Sequence, residues 1–403
     1  MSFGLTRVHV RGFRSARDVA FAPSSLCALL GEAKAGKSNL LAAIHALLDP
    51  DAPLPRRKDV TAGQCGSIRI EGLLAGGESL FFEARPPERP TAARGGAPPV
   101  LFFPAALRSG ALIAASPHAP RPVRRGARLL TAALAEQMGP RESASSAATS
   151  AVALVNAIAS CRELGVSHLV LLLEEPELYL RPQAQRYLYR LLRALASEGC
   201  QVIYSTHSPA FLNVARLEEI VLVEHDPLLG TKVVQPEALA AADEFRALSE
   251  FDAERSELFL ARAALIVEGR TEKLVFPFVF RALGYDIDRE GISIIDSGGK
   301  SNIPLFVRIS KAIGVPFVAV HDRDAPPGQE PDAAERALNQ LIAEVAGSER
   351  TVVLEPDFEA VAGLRGHSNK PERAWRHFGS LAPPQVPEPL AHAAKLALAC
   401  TGS

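Results

Sequence analysis

Near the start of the chain, Gly31-Glu32-Ala33-Lys34-Ala35-Gly36-Lys37-Ser38 has the spacing of a phosphate-cradling loop. Its glycines let backbone N–H groups approach phosphate oxygens, Lys37 reaches the β- and γ-phosphates, and Ser38 binds Mg2+. Asn39 follows directly and joins Gly31, Gly36, Lys37 and Ser38 among the expected ATP contacts. Further on, Glu174 and Glu175 end an apolar run. Beside a nucleotide, the first acid would hold Mg2+ through water and the second would orient or deprotonate the attacking water. His207, in Thr206-His207-Ser208-Pro209, stands where an imidazole can touch the γ-phosphate. Taken singly, the two acids read equally well as surface residues and the histidine as structural. Their occurrence with the loop favours the chemical reading.

A second group is purely acidic. Glu268 and Glu272 are four residues apart where a strand turns into a helix, so both can share one face. Asp322 and Asp324 are two apart at another strand end. Converging carboxylates repel unless cations intervene, and hard oxygen ligands select Mg2+ or Mn2+. Such a site suits phosphodiester chemistry. The bland alternative is a set of exposed acids on loop ends, but Glu268 and the Asp322–Asp324 pair each follow a buried strand.

The elements needed to position these groups are legible. Residues 5–10 alternate as a strand, and Ser25-Leu26-Cys27-Ala28-Leu29-Leu30 is an apolar strand running into the glycine loop. Leu40, Leu41, Ile44, Leu47 and Leu48 recur at helical spacing immediately after it. A strand over 168–173, an amphipathic helix over 183–197 and a strand over 201–205 follow, which predicts a mostly parallel α/β sheet. Residues 84–126 read as loop, and 128–164 as helices broken by a serine-rich stretch over 143–150. The basic run Arg121, Arg124, Arg125 and Arg128 reads as a solvated surface before it reads as a DNA contact. From about residue 262 a second α/β unit begins, with strands over 264–267, 292–295 and 317–320. Ligands in open α/β sheets sit at strand C-terminal ends, where all four acids fall.

Bulk properties narrow the class. A length of 403 residues allows two to three domains, and 47% hydrophobic content supports a sizeable core. The net charge of -1 neither argues for nor excludes nucleic acid, because a local basic patch can hide in a neutral total. The five cysteines include no CxxC and no histidine cluster, so neither a zinc site nor a disulfide framework is expected. No window approaches the roughly 18 apolar residues of a membrane span. The first twelve residues lack a signal-peptide core, so a cytoplasmic location is expected.

The loop, Glu174-Glu175 and His207 resemble the ABC-type ATPase heads of DNA-repair and chromosome-organising proteins. Glu268-Gly269 with Asp322-Arg323-Asp324 resembles a Toprim domain. The two in this order look like the overcoming-lysogeny-defect (OLD) family of nucleases, over roughly residues 3–224 and 262–378. Glu174-Glu175-Pro176-Glu177, the Glu-Gly-x-Thr-Glu form at 268–272 and the Gly298-Gly299-Lys300 turn add to the match. The resemblance implies an ATPase domain over 1–225 with an irregular or helical insertion over 85–150. A connector over 226–261, a Rossmann-like Toprim domain over 262–385 and a tail over 386–403 follow. It implies Glu175 and His207 as catalytic in the head, and Glu268, Asp322 and Asp324 in the Toprim unit. It adds Glu359 as an outer metal ligand beside Glu272, and Lys370 as a stabiliser of phosphate charge. It implies a homodimer through heads or Toprim-side contacts, DNA as substrate and an accessory protein as a partner. The signature segment would fall at about 141–150, with Ser143, Ser145 and Ser146 as candidates but without the usual glycine. Ala33 and Arg181 also replace the family's usual Asn and His.

The expected function is an ATP-regulated, metal-dependent DNA endonuclease, in a role such as phage defence or DNA processing. An ATP-gated DNA-binding module with an inert Toprim unit is the alternative. A primase is disfavoured by the missing zinc cysteines, and a topoisomerase by the lack of a recognisable tyrosine setting.

Overall fold

Two kinds of strand build the first sheet. Leu26–Leu30 (β3) and Gln201–Thr206 (β9) are buried along their whole length, as strands covered on both faces must be. Leu5–Phe13 (β1), Ala16–Phe21 (β2) and Ile68–Leu74 (β4) alternate buried and exposed positions, the pattern of a sheet with one wet face. The remaining strands are Ser79–Ala84 (β5), Thr91–Ala93 (β6), Val100–Phe103 (β7), Val170–Glu174 (β8), Ile220–Asp226 (β10) and Gly230–Val234 (β11). All eleven form one sheet in the order β6-β5-β4-β1-β2-β11-β10-β3-β9-β8-β7. The pairs from β10 to β7 are parallel; those from β6 to β10 are antiparallel. The expectation of a mostly parallel sheet thus covers one wing only.

The computed structural model describes residues 4–62, 66–103, 168–178, 180–208, 216–238, 243, 250, 254–326, 328–364, 370–379 and 385–402. The expected helices within 128–164, the basic run at 121–128 and the signature segment at 141–150 lie outside them. The chain divides into two compact units, Met1–Glu237 and Ala238–Ser403.

In the first unit, Lys37–Leu48 (α1) opens directly from the glycine loop and buries Leu40, Leu41, Ile44, Leu47 and Leu48 in the core. Each such side chain contributes about 1.5–3 kcal/mol of burial. Pro182–Ser197 (α2) starts with proline in its first turn, where the missing N–H costs nothing, and buries Leu188, Leu191, Leu192 and Leu195. Two sequence expectations change here. Residues 85–103, placed in an irregular insertion, contain β6 and β7. The apolar Val100-Leu101-Phe102-Phe103 pairs in parallel with β8. Residues 230–234, placed in the connector, form β11, which turns back on β10 and closes against β2.

The second unit holds Ala263–Val267 (β12), Ile292–Asp296 (β13), Phe317–Asp322 (β14) and Thr351–Leu354 (β15), all parallel in the order β13-β12-β14-β15. Crossovers are made by Arg270–Ala282 (α3), Ile303–Ile313 (α4) and Ala333–Ala346 (α5). Lys370–Phe378 (α6) buries Ala374 and Phe378. The expected tail over 386–403 is instead a helix, Glu388–Thr401 (α7), with Leu390, Ala393, Ala394 and Ala397 in the core of this unit. Its small residues let the helix approach the sheet closely.

Candidate nucleotide and metal sites

In the first unit, β3 delivers the chain into the loop and α1 takes it away. A Cβ added at Gly31 would stand 2.0 Å from the Val223 carbonyl oxygen, and one at Gly36 would stand 2.0 Å from Thr231 Oγ1. Gly36 also has φ +116°, which a residue with a side chain rarely adopts. The backbone is therefore pressed against β10 and β11, and its curvature is fixed by the sheet. Thr231, buried on β11, donates from Oγ1 to the Ala35 carbonyl at 3.0 Å and accepts from the Ser15 hydroxyl at 2.7 Å.

Lys37 is only 4% exposed, and its ammonium donates to the Gly31 and Glu32 carbonyls at 2.6 and 2.9 Å. Burial lowers its pKa, opposed by the charges of Glu175 and Glu177. Glu175 Oε1 lies 3.8 Å from Lys37 Nζ, and the other oxygen of Glu175 pairs with His207 Nδ1. The sequence-predicted Lys37, Glu175 and His207 thus form one chain of contacts. Glu175 has φ +49° and donates its N–H to Ser205, so β8 ends in a sharp turn that holds this carboxylate at the strand tip. Ser38 is exposed and shares a cavity of about 420 Å³ with Glu174, its rim carrying Arg14 and Lys58. Asn39 is engaged within the protein, donating to Ser15 Oγ at 2.6 Å and accepting from Arg14 at 3.3 Å.

Sequence reasoning passed over Glu177 as a site residue. It is 2% exposed, accepts from Thr206 Oγ1 at 2.5 Å and from the His207 N–H at 3.3 Å, and so fixes the turn that carries the histidine. Burial pushes its carboxyl up to about 7. Among the described residues, ligand atoms of Glu175, Glu177 and His207 form a group within 4.8 Å of one another.

In the second unit, β12 and β14 are neighbours, so their C-terminal ends bring Glu268 and Asp322 together. The Asp322 N–H donates to Glu268 Oε1 at 2.7 Å, and the Phe358 N–H donates to Asp322 Oδ1 at 2.8 Å. Phe358 packs on Phe378 of α6, ring centroids 6.4 Å apart, which ties that helix to the aspartate's support. Burial raises Glu268 to about 7. Burial and the charges of Glu268, Glu272 and Asp324 raise Asp322 to about 8. Glu272, buried in the first turn of α3, is raised by burial and then by the charges of Glu359 and Asp296. The expected Glu268, Glu272, Asp322, Asp324 and Glu359 therefore share one electrostatic environment. Among the described residues no three of these acids approach as closely as the group in the first unit.

Asp324 is held differently from its neighbours. It has φ +59°, donates its N–H to the Pro356 carbonyl at 3.0 Å, and its Oδ2 accepts from Lys300 Nζ at 2.7 Å. Lys370 opens α6. Lys300 escaped the sequence reading as a site residue, although the turn that carries it was singled out.

The family model described as "Overcoming lysogenization defect protein-like, TOPRIM domain" matches residues 259–324. The model "AAA domain, putative AbiEii toxin, Type IV TA system" matches residues 140–213. The chain is similar to an OLD nuclease of Thermus scotoductus, 39% identical over 249 residues, covering 57% of this chain and 47% of that protein. It is 29% identical over 164 residues to the Old nuclease of Escherichia phage P2, covering 39% and 28%. The chain thus spans less than half the length of these curated relatives. Among solved structures, the SMC head domain of Thermotoga maritima overlays 59% of this chain and all of its own, at TM-score 0.38 and 17% identity. The C-terminal region of the Burkholderia pseudomallei OLD protein overlays 35% and 98%, at TM-score 0.30 and 16% identity.

Proposed function

We propose, from the OLD-like Toprim match and the similarity to OLD nucleases, that the chain is an ATP-regulated, divalent-metal-dependent DNA endonuclease of the OLD family. The observation that carries the reading is the pair Glu268 and Asp322 at the tips of adjacent parallel strands, both with carboxyl groups raised far above their usual range. Carboxylates crowded and desolvated to this degree resist ionisation unless a cation offsets their charge.

The donor set fits Mg2+ or Mn2+, since every candidate ligand is a carboxylate oxygen and no thiolate or imidazole is needed. Glu268 and Asp322 would hold the ion, Asp324 would be a further ligand, and Glu272 and Glu359 would lie outside them. A bound divalent cation supplies Lewis acidity toward a phosphodiester and lowers the pKa of water. The protein's own part is orientation. Backbone N–H groups of Asp322 and Phe358 fix one oxygen each on Glu268 and Asp322. Lys370 would stabilise charge on the phosphate.

ATP would bind on the loop at Gly31, Gly36, Lys37, Ser38 and Asn39, with Mg2+ on Ser38 and near Glu174. Glu175 and His207 would act on the γ-phosphate and its attacking water, with Glu177 holding His207 in place. The nucleotide would regulate the Toprim unit, in an assembly of two chains on DNA.

The test is incubation of supercoiled plasmid with purified protein and Mg2+ or Mn2+, with and without ATP. Wild type is expected to nick or linearise the plasmid, and Asp322→Ala to leave it intact. ATP is expected to change the rate for wild type but not for Lys37→Ala. Intact plasmid with wild type under both metals contradicts the nuclease reading. If wild type nonetheless binds DNA in an ATP-dependent way, the gated DNA-binding module takes its place.

A further inference from the structure

Lys300 is a lysine in an unusual place. It is 7% exposed, at the end of the Gly298-Gly299 turn that follows β13. Gly298 has φ +74° and Gly299 has φ +135°, a path that L side chains rarely follow. The turn is stitched to the Toprim acid itself: the Gly299 N–H donates to the Glu268 carbonyl at 2.8 Å, and Ser297 Oγ donates to the same oxygen at 3.3 Å. The backbone that positions Glu268 therefore also positions Lys300.

The ammonium is shared between two carboxylates. Nζ donates to Asp324 Oδ2 at 2.7 Å and to Glu335 Oε2 at 2.8 Å. Two carboxylates at hydrogen-bond distance hold this buried ammonium in its charged form. Glu335 sits in the first turn of α5, whose start is fixed by Asp332 accepting from the Ala334 and Glu335 N–H groups. At the start of the same turn, Asp296 accepts from the Gly298 N–H at 2.7 Å and lies 4.0 Å from Arg255 Nη2, so the turn that carries Lys300 is also fixed at its β13 end.

We propose that Lys300 is a positioning residue that gives the Asp324 side of the cleft a fixed positive charge, in competition with a divalent cation there. Glu335 is the carboxylate that takes the lysine when a cation claims Asp324. This rests on the metal reading of the Toprim acids. Two consequences follow from Coulomb's law at these separations. Removing the lysine's charge makes the cleft a stronger cation site. Removing Glu335 leaves the lysine to Asp324 alone and makes it a weaker one.

The experiment is titration of the full chain, without nucleotide, with Mn2+, followed by the electron paramagnetic resonance of free Mn2+. Asp322→Asn identifies which ions belong to the Toprim cleft. Lys300→Gln is expected to bind Mn2+ in that cleft at least about tenfold more tightly, or to bind one more ion, than wild type. Lys300→Arg keeps the charge and is expected to restore wild-type affinity, and Glu335→Gln to weaken it several-fold. A purely structural ion pair would lower the melting temperature of Lys300→Gln and leave its Mn2+ affinity alone, and that result overturns the proposal. Should Lys300→Gln fail to fold, Glu335→Gln decides: its side chain is a third exposed, and unchanged Mn2+ affinity there overturns the proposal equally. If Asp322→Asn binds Mn2+ like wild type, the metal reading itself fails and Lys300 with it.

Discussion

The P-loop corner and the Toprim cleft are opposites in charge and in construction. At the loop, a buried lysine is held by main-chain carbonyls and lowered in pKa. In the cleft, buried carboxylates are held by main-chain N–H groups and raised in pKa. One corner stores a cation whose best partner is an anion, the other stores anions whose best partner is a cation. Each pays a desolvation cost that its ligand would relieve. The two candidate sites also use different scaffolding. An anion is cradled by backbone, so glycines pressed against β10 and β11 shape the first candidate site. A divalent cation takes side-chain oxygens, so strand tips shape the second.

Breaking either half of this comparison should leave the other intact. The largest effect is expected from Asp322→Ala, with plasmid cleavage falling by about 1,000-fold or more while ATP affinity stays at the wild-type value. Cleavage rates and a nucleotide-binding titration check both parts. Lys37→Ala is expected to weaken ATP binding by about 100-fold, the loss of a charged hydrogen-bonding group of about 2–3 kcal/mol. Its Mn2+ binding at the cleft should not change.

The next effect concerns pH. Asp322 is raised from 3.8 to about 8 and Glu268 from 4.5 to about 7, so the folded chain holds these protons after the unfolded chain has lost them. In chelator, stability from these groups is fully present at low pH and is lost as pH climbs from about 4 to about 8. Asp322→Asn removes the larger part of that penalty and should therefore melt higher than wild type at pH 8 in chelator. The gain should be about 2–4 °C per kcal/mol relieved, and it should vanish near pH 4. A thermal melt at the two pH values measures it, and equal melting of the two proteins at pH 8 would break the cation half of the comparison.

Smaller effects sharpen the anion half. Glu177→Ala frees the Thr206-His207 turn and should reduce ATP turnover about tenfold with little change in ATP affinity. Glu177→Gln keeps the accepting oxygen and should recover most of the rate. Thr231→Val removes the hydroxyl that ties β11 to the loop and should weaken ATP binding several-fold, about 1 kcal/mol.

Most of the residues proposed for the two sites can be picked out of the sequence because the proposed chemistry depends on local spacing. Gly31 to Ser38 needs only a strand before it and a helix after it. Glu268 and Asp322-Arg323-Asp324 announce themselves by following apolar runs. The supporting residues were hidden because their partners are remote in sequence. Thr231 meets Gly36 across 195 positions of chain, and nothing near residue 231 marks it; its strand was read as connector. Lys300 meets Asp324 and Glu335 only after the α4 crossover and β14 have brought the chain back. Glu177 follows Glu174 and Glu175 so closely that it reads as part of their surface.

Fold features were missed for similar reasons. A strand such as β6, three exposed residues long, carries no apolar signal of its own. The terminal helix α7 buries alanines, which lack the contrast between large apolar and polar residues that marks an amphipathic helix. The antiparallel wing was underweighted because the buried parallel strands give the louder pattern.

The proposed function requires two separable sites of opposite charge on one chain, an ATP loop at Lys37 and a divalent-cation cleft at Asp322. It is tested most directly by calorimetric titration of ATP and of Mn2+ into wild type, Lys37→Ala and Asp322→Ala. A crossed result is expected: Lys37→Ala loses ATP binding and keeps the cleft's Mn2+, while Asp322→Ala keeps ATP binding and loses that Mn2+. Wild-type Mn2+ binding by a folded Asp322→Ala protein would contradict it.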